Sequence, residues 1–379
     1  MTHVRNNLKR RALIVLFACL TALVLAGCAG APQGESSSTG TAASEPESRT
    51  LVDAYGRSVE LPAEVVTAAT VGSGARFVVY AGAQDKLIAA TEMDTPASPA
   101  RPYTEVHADL FAGLPTTSNG NHLNETTVDT EKLLELHPDV IVSSRSAEEC
   151  DALQDSIGIP VVGITYQGQL FTDNVYTSIE VVGDALGTGE HARSVVAAMK
   201  DWAADLDRRT ASIPDADKPS AYVGAVNYKG AKSFTGTYAS YPALDAVHAN
   251  NVADALGQKG AVEVSLEQVG EWNPDVMFLN AGNMDLMKKD YEDNKEFFGK
   301  LTAFQNGALY TQPSFNYNGT NVEMGICDAY FCGATLYPES FADVDLAKKY
   351  DEVFSTMLGA NYYEQMKSLG IDFKRISFE

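Results

Sequence analysis

The sequence predicts an α/β fold of two lobes, each built on a parallel sheet, joined by one long rigid helix. Strand-like apolar runs alternate with helical patterns along both halves, as in parallel-sheet units. A fifteen-residue stretch recurs at an offset of 136, residues 128–142 matching 264–278 with six identities. Between the halves, residues 190–213 keep one helical period without a break. A chain of 379 residues suits two domains at roughly 100–200 residues each.

The first segment stands apart from the fold. Arg5, Lys9, Arg10 and Arg11 make a basic start, an apolar run follows from Ala12, and small residues lead to Cys28. That is the plan of a secretory signal. The competing reading is a permanent anchor helix, but the apolar stretch of about 16 residues falls short of the roughly 20 that a membrane span needs. Leu25-Ala26-Gly27-Cys28 resembles the bacterial lipobox, whose Cys becomes the lipidated first residue of the mature protein. Residues 1–27 therefore read as a lipoprotein signal and 28–49 as a flexible tether of small and polar residues with almost nothing to form a core.

The two lobes are expected over 50–187 and 214–379, with the linking helix at 188–213. Strands are predicted at 65–71, 86–90, 140–143 and 160–164 in the first lobe, and at 220–226, 276–280 and 308–312 in the second. Helical patterns at 75–83, 147–157 and 172–186 lie between those of the first lobe. Each repeat copy reads as a helix ended before Pro138 or Pro274, a Pro-Asp turn, and a buried strand. The linker stops at Pro214 and spans on the order of 36 Å if helical throughout.

Charge excludes one class of partner. The formal charge of −22 becomes −26 once the four basic residues of 1–27 are removed, and nucleic acid needs Lys and Arg to neutralise phosphates. The mature cysteines are Cys28, Cys150, Cys327 and Cys332, and the last two read as small buried apolar residues. No CxxC, HExxH or His-rich cluster is present, so neither a structural zinc site nor a cofactor is expected.

The lipobox, the opening strand Val52-Asp53-Ala54-Tyr55-Gly56-Arg57, the two Glu-x6-Pro-Asp repeats and the linking helix together resemble a substrate-binding lipoprotein of an ABC importer. The likeness is to the type whose lobes are joined by one rigid helix, which carries ferric siderophores, haem, vitamin B12 and, in some members, molybdate or tungstate. The run from Asn321 to Pro338 is typical of the iron-complex branch. The resemblance implies two Rossmann-like lobes with a ligand cleft between them, and lodging on the outer face of the cell membrane through lipid on Cys28. It also implies delivery to an ABC permease dimer with its ATPases, action as a monomer, and no enzymatic turnover.

Ligands of open α/β sheets sit outside the carboxyl ends of the strands. The candidates are therefore loop residues: Ser73 in Gly72-Ser73-Gly74, Asn121, Arg145, Tyr166, Tyr228, Tyr238, Asn283, Asn316, Tyr317 and Asn318. Arg145 can hold a carboxylate or oxyanion bidentately, or pair with Glu148 or Glu149 at a helix start. Tyr and Asn offer flat faces with polar tips that suit a chelate, a macrocycle or an oxyanion, so both ligand classes stay open. The acidity tilts the expectation toward an iron complex (a ferric siderophore-like chelate, haem or cobalamin) over a bare molybdate or tungstate. Glu131 and Glu267 hold equivalent places in the two repeats, and the resemblance implies that they dock on basic sockets of the permease. An extracellular enzyme competes, but Gly-x-Ser-x-Gly and HExxH are missing.

Overall fold

The computed structural model describes residues 48–119 and 127–378. Cys28, the signal and Asn121 lie outside the described residues. Strands β1 (Ser48–Val52) and β2 (Ser58–Pro62) form an antiparallel hairpin. Ser48 and Arg49, expected in the tether, therefore belong to a strand, and Arg49 Nη2 donates to the carbonyls of Asp184 (2.9 Å) and Ala185 (2.7 Å). Val52–Arg57, expected as a strand, is mostly the hairpin turn, because its Tyr55 and Arg57 N–H groups go to the Asp53 carboxylate and not to a strand partner. Asp53, buried, builds it by accepting from the N–H of Tyr55 (3.0 Å) and Arg57 (2.9 Å). The same carboxylate pairs with Arg57 Nη1 at 2.8 Å and accepts from Gly163 N at 2.9 Å, tying the hairpin to the first lobe.

In that lobe β3 (Ala68–Val71), helix α1 (Gly74–Tyr80), β4 (Leu87–Ala89), α2 (Thr130–Leu136), β5 (Val140–Ser143), α3 (Ala147–Ile157), β6 (Val161–Gly163) and α4 (Asp173–Leu186) follow in order. The strands make one parallel sheet in the order β4-β3-β5-β6. Every residue of β3, β5 and β6 is buried, as expected of strands covered on both faces.

Helix α5 (Gly189–Thr210) links the lobes and spans about 33 Å. It ends three residues before the predicted stop, because Ala211 caps it and the chain turns ahead of Pro214. Its buried stripe Ala192, Val195, Val196, Met199, Trp202 and Leu206 follows the helical period. The far end is pinned by polar contacts: Trp202 Nε1 donates to Glu352 Oε1 at 2.7 Å, and Arg209 grips Asp343 through two bonds of 2.6 and 3.0 Å.

The second lobe holds β7 (Ser220–Gly224), β8 (Gly236–Ala239), β9 (Asn250–Asn251), β10 (Gly260–Glu263), α6 (Leu266–Trp272), β11 (Val276–Asn280), β12 (Leu309–Gln312), α7 (Val322–Leu336), α8 (Leu346–Leu358) and β13 (Lys374–Arg375). Its sheet runs β9-β7-β11-β12-β13, parallel except for the last strand. Strand β8 stands where the sequence pattern predicts a loop. It pairs with β10, and that long-range partner lies beyond any local pattern. Helix α7 is apolar around most of its circumference and buried accordingly, with Cys327 and Cys332 free and fully enclosed. Leu170 of the first lobe packs where a side chain at Gly325 would sit, so α7 seats directly against the other lobe. One core cluster accordingly runs through both lobes, from Phe77, Tyr80 and Leu170 to Tyr238, Phe315 and Val322.

The two repeat copies fold alike. Asp129 and Ser265 N-cap α2 and α6 by accepting from Lys132 N and Gln268 N. Both helices end on a left-handed residue, His137 (φ 48°) or Asn273 (φ 41°). The following Asp then clasps the first sheet strand of its lobe. Asp139 Oδ2 accepts from Val66 N, Thr67 N and Thr67 Oγ1, and Asp275 Oδ2 from Ser220 N and Oγ.

Candidate functional site: the seam between the lobes

The carboxyl ends of β3, β5 and β6 set the first wall. Gly72 takes φ 65°, and a Cβ there would meet Ser144 Oγ at 2.5 Å, so the turn needs glycine. Ser73, fully buried, donates its N–H to Ser144 Oγ (2.8 Å). Its Oγ accepts from Tyr166 OH and from Gln167 Nε2 (3.2 Å). Ser73 and Tyr166 are thus brought together, but with each other. Arg145 Nη1 pairs with Glu149 Oε1 at 3.1 Å, the helix-start pairing anticipated for it. Glu149 is held below its usual pKa chiefly by the Ser146 N–H, with Arg145 adding to the effect. Asp94, in the loop after β4, accepts from Thr91 N (3.0 Å) and Thr91 Oγ1 (2.7 Å), and its other oxygen from Tyr103 OH.

The second wall comes from β7, β11 and β12. Asn283 is nearly buried, and its Nδ2 donates to Ala225 O (2.8 Å), Asn227 Oδ1 (2.8 Å) and Lys232 O (3.1 Å). It therefore pins the 225–232 loop, where Ala225 (φ 60°) and Lys229 (φ 48°) are left-handed. Tyr228, half-buried, sits in that loop. Asn316 Oδ1 accepts from Ser314 Oγ at 2.8 Å, and the Tyr317 ring lies 5.7 Å from the Arg101 guanidinium. Asn318 is left-handed at φ 50°, which turns its carbonyl toward the opposite lobe.

Hydrogen bonds close the seam. Asn318 O accepts from Arg76 Nη2 at 2.6 Å, and Gly168 N donates to Thr320 Oγ1 at 2.6 Å. Asn321 Nδ2 donates to Ala100 O at 3.1 Å. Tyr80 OH donates to Glu323 Oε2 and accepts from Val322 N at 3.2 Å, bridging α1 to the start of α7.

Arg76, Tyr80, Tyr103 and Glu323 were not anticipated. The one available signal was a lone charge in the otherwise apolar run Gly-Ala-Arg-Phe-Val-Val-Tyr of α1. Arg76 is fully buried among Tyr166, Tyr103 and Tyr80. Burial works against its charge, and its Nη2 is held by Asn318 O. Burial raises the Glu323 pKa, with Tyr80 and Arg76 opposing it.

Beside this sealed network the seam opens into a pocket of about 870 Å³. Gln167, Gly168, Gln169 and Phe171 line it from the first lobe, and Tyr238, Ser240, Asp245 and Lys259 from the second. Tyr238 is only 8% exposed and lines this space. Asp245 has its pKa raised by burial and by neighbouring Asp254. On the outer surfaces, Glu131 and Glu267 are both exposed at the second position of α2 and α6. Among the described residues no cluster of three or more His, Cys, Asp or Glu is placed to hold a metal, and no helix is long and apolar enough to cross a membrane.

Comparison with known proteins agrees with this architecture. A Bacillus subtilis ABC transporter substrate-binding lipoprotein, YvrC, itself uncharacterised, is 24% identical over 349 residues, covering 89% of this chain and 100% of its own. The molybdate-binding protein MolA of Haemophilus influenzae is 25% identical over 260 residues, 62% of this chain and 71% of its own. Among solved structures, a periplasmic solute-binding protein of Veillonella parvula superposes with a TM-score of 0.70 at 19% identity, over 86% of this chain and 97% of that one. The periplasmic binding protein family model matches residues 96–314, more than half of the sequence. Its members are extracytoplasmic, serve transport and not catalysis, and deliver ligands to the permease and ATPases of ABC importers. A two-lobe α/β chain with its seam at the strand ends and a family match of that extent belongs to the periplasmic binding protein family.

Proposed function

We propose that this protein captures a bulky metal complex between its lobes, a ferric chelate, haem or cobalamin, and passes it to an ABC importer. The observation that carries this reading is the seam pocket. Its volume of about 870 Å³ lies within the roughly 300–1,000 Å³ of drug-sized ligand sites. Aromatic faces at Phe171 and Tyr238 and amides at Gln167 and Gln169 suit such a ligand. Tyr228, Asn316 and Tyr317, on loops at the strand ends of the second lobe, are assigned to the same ligand site, while Ser73, Tyr166 and Asn283 act by fixing loop shape. Arg145, at the end of β5, is assigned to the first-lobe side of the site, and Asn121 is assigned to it from sequence alone. In this reading residues 50–187 and 214–379 are the lobes, 188–213 the link, and lipid on Cys28 holds the protein at the membrane.

Titrating the purified protein with ferric citrate, an uncharged ferric hydroxamate, haem, cobalamin and molybdate, followed by tryptophan fluorescence and native mass spectrometry, tests the ligand class. Saturable 1:1 binding of a chelate or macrocycle supports it, and saturation by molybdate alone overturns it. An oxyanion is the second reading, favoured by the 25% identity to the molybdate-binding relative.

Glu131 and Glu267, exposed at matching places on the two lobes, suit docking on a permease dimer with basic sockets. The double variant Glu131→Ala, Glu267→Ala is expected to lose at least ~10-fold in uptake, about 1.4 kcal/mol, with ligand affinity unchanged. Lost ligand affinity with uptake following it would remove the docking role.

A further inference from the structure

The charges lining the seam pocket are uneven. Among the described residues they are Asp173 from the first lobe and Asp245 and Lys259 from the second, and none of these side chains has a hydrogen bond or ion pair within the chain. Asp173 stands in the first turn of α4, where the positive end of the helix dipole answers its charge. Asp245 has no such answer. It closes the one-turn helix Pro242–Asp245, and a carboxylate gains nothing from that end of a helix. Burial raises its pKa, nearby Asp254 adds to the effect, and Lys259 and His248 oppose it more weakly than Asp254 acts. Asp254 is held by Ser240 N (2.6 Å) and Asn251 Nδ2 (2.8 Å), neither of which brings a positive charge.

Tyr238 is an independent sign of a ligand in the same space. Its side chain is more than nine-tenths buried and lines the pocket, yet its hydroxyl has no hydrogen bond among the described residues. Edge contacts with Tyr241 (5.7 Å) and Phe315 (5.6 Å) fix the ring. The hydroxyl thereby reaches the opposite wall, where a Cβ on Gly168 would lie 2.9 Å from it. Beside Gly168, Gln167 donates its Nε2 to Ser73 Oγ, which leaves its acceptor oxygen without a partner. A polar group held in a nearly buried position and left unpaired costs free energy that a ligand can return.

We infer that the seam pocket takes a metal complex bearing a protonated amine, with Asp245 as the counter-ion of that amine and Tyr238 as a second acceptor. The inference rests on the proposed binding role and sharpens it, since it fixes the sign of the ligand's charge. An ammonium group offers three donors and no acceptor. The Asp245 carboxylate, the Tyr238 hydroxyl and the free oxygen of Gln167 are acceptors of the pocket lining that nothing else in the chain uses. Exposed Lys259 works against such a ligand and in favour of an acidic one, so its removal separates the two.

Calorimetry with a matched pair of ligands tests this: a ferric trihydroxamate ending in a primary amine, and the same complex acetylated on that amine. Ferric citrate, haem, cobalamin and molybdate complete the panel. Wild type should bind the amine-bearing complex at least ~10-fold more tightly than the acetylated one. That exceeds the ~5-fold of an ion pair open to water, because the ligand itself covers this pair. Raising salt from about 50 to about 500 mM should shrink the preference. Asp245→Asn should weaken the amine-bearing complex ~10-fold and the acetylated one far less, and Lys259→Gln should tighten the amine-bearing complex. Wild-type affinities for the matched pair that agree within about twofold would overturn the cation site, as would Asp245→Asn weakening both forms alike. Wild type preferring ferric citrate, haem or cobalamin to the amine-bearing complex would also overturn it, and the transport reading would stand. Binding of molybdate alone, or of no probe, would bring down both. If Asp245→Asn does not fold, the matched pair on wild type and its salt dependence decide: a preference for the amine that survives high salt undiminished overturns the ion pair.

Discussion

The two copies of the repeat share a frame and differ in how tightly each is held. In the first lobe Asp139 is half-buried and accepts three bonds from Val66 and Thr67, at 2.8, 2.8 and 3.1 Å. In the second, Asp275 is exposed and accepts two from Ser220, at 2.8 and 2.7 Å. The left-handed residue before each Pro diverges in the other direction. Asn273 exchanges two 2.8 Å bonds with Thr302, whereas the His137 side chain has no such partner among the described residues. Each lobe therefore fastens the same turn with a different residue. What both keep is the exposed glutamate at the helix start and the strand that feeds the seam. Selection for a common frame and a paired outer surface, with freedom in the ligand loops, would leave this pattern.

The largest expected effect breaks the symmetry of the clasp. Asp139→Ala strands three donors and should cost roughly 2–3 kcal/mol. Asp275→Ala should cost about 1 kcal/mol, because water reaches its donors. Urea midpoints with unchanged m-values measure both. Equal losses would mean that the half-burial of Asp139 has no energetic consequence.

Acid sharpens the same comparison. Burial works against ionised Asp139, but the N–H groups of Thr67 and Val66 outweigh it and place its pKa below the ordinary carboxylate value. A carboxyl depressed in the fold adds stability above its unfolded pKa, about 3.9, and loses it as pH falls through the folded value. The advantage of wild type over Asp139→Asn should hold level from about pH 7 to 5 and shrink steadily below about pH 4. An advantage that grows on acidification would refute the assignment.

The clasp also shows which parts of this molecule were open to reading from sequence. The repeat exposed helix α2, strand β5 and their second copies because local period, Pro and Asp all act within a few residues. The linker was legible for the same reason, and its end moved only because Ala211 and the turn before Pro214 compete with the last helical bonds. Strand β8 was not legible, since its pairing with β10 is a long-range event. The seam was half legible. Strand-end reasoning pointed to loops that include Tyr238, which lines the pocket, and Asn318, whose carbonyl meets Arg76, but whether a loop residue faces a ligand or its own lobe depends on neighbours supplied by the fold. Asn283 illustrates this, with its amide protons turned onto Ala225, Asn227 and Lys232. Arg76 was missed because a helix position next to a Gly-Ser-Gly turn looks like core until the opposite lobe is placed over it.

The smallest expected effect concerns the two left-handed residues, and its value lies in its sign. A non-glycine residue at φ near 45° carries strain of roughly 1–2 kcal/mol, less for Asn, whose short polar side chain tolerates the region. Glycine removes that strain but gives the unfolded chain extra freedom, costing about 0.4–1 kcal/mol. At His137 (φ 48°), with no bond to lose, His137→Gly should come out stabilising by about 0.5 kcal/mol. At Asn273 (φ 41°) the strain is smaller and both bonds to Thr302 disappear, including the one that satisfies the Thr302 N–H at the start of the 302–305 helix. Asn273→Gly should therefore be destabilising, by about 1 kcal/mol after allowing for solvent at this exposed site. Opposite shifts of the urea midpoint, read on otherwise identical proteins, would show that the two lobes secure one turn by different means. Shifts of the same sign would show that backbone strain alone governs both, and that the Thr302 bonds contribute nothing in water.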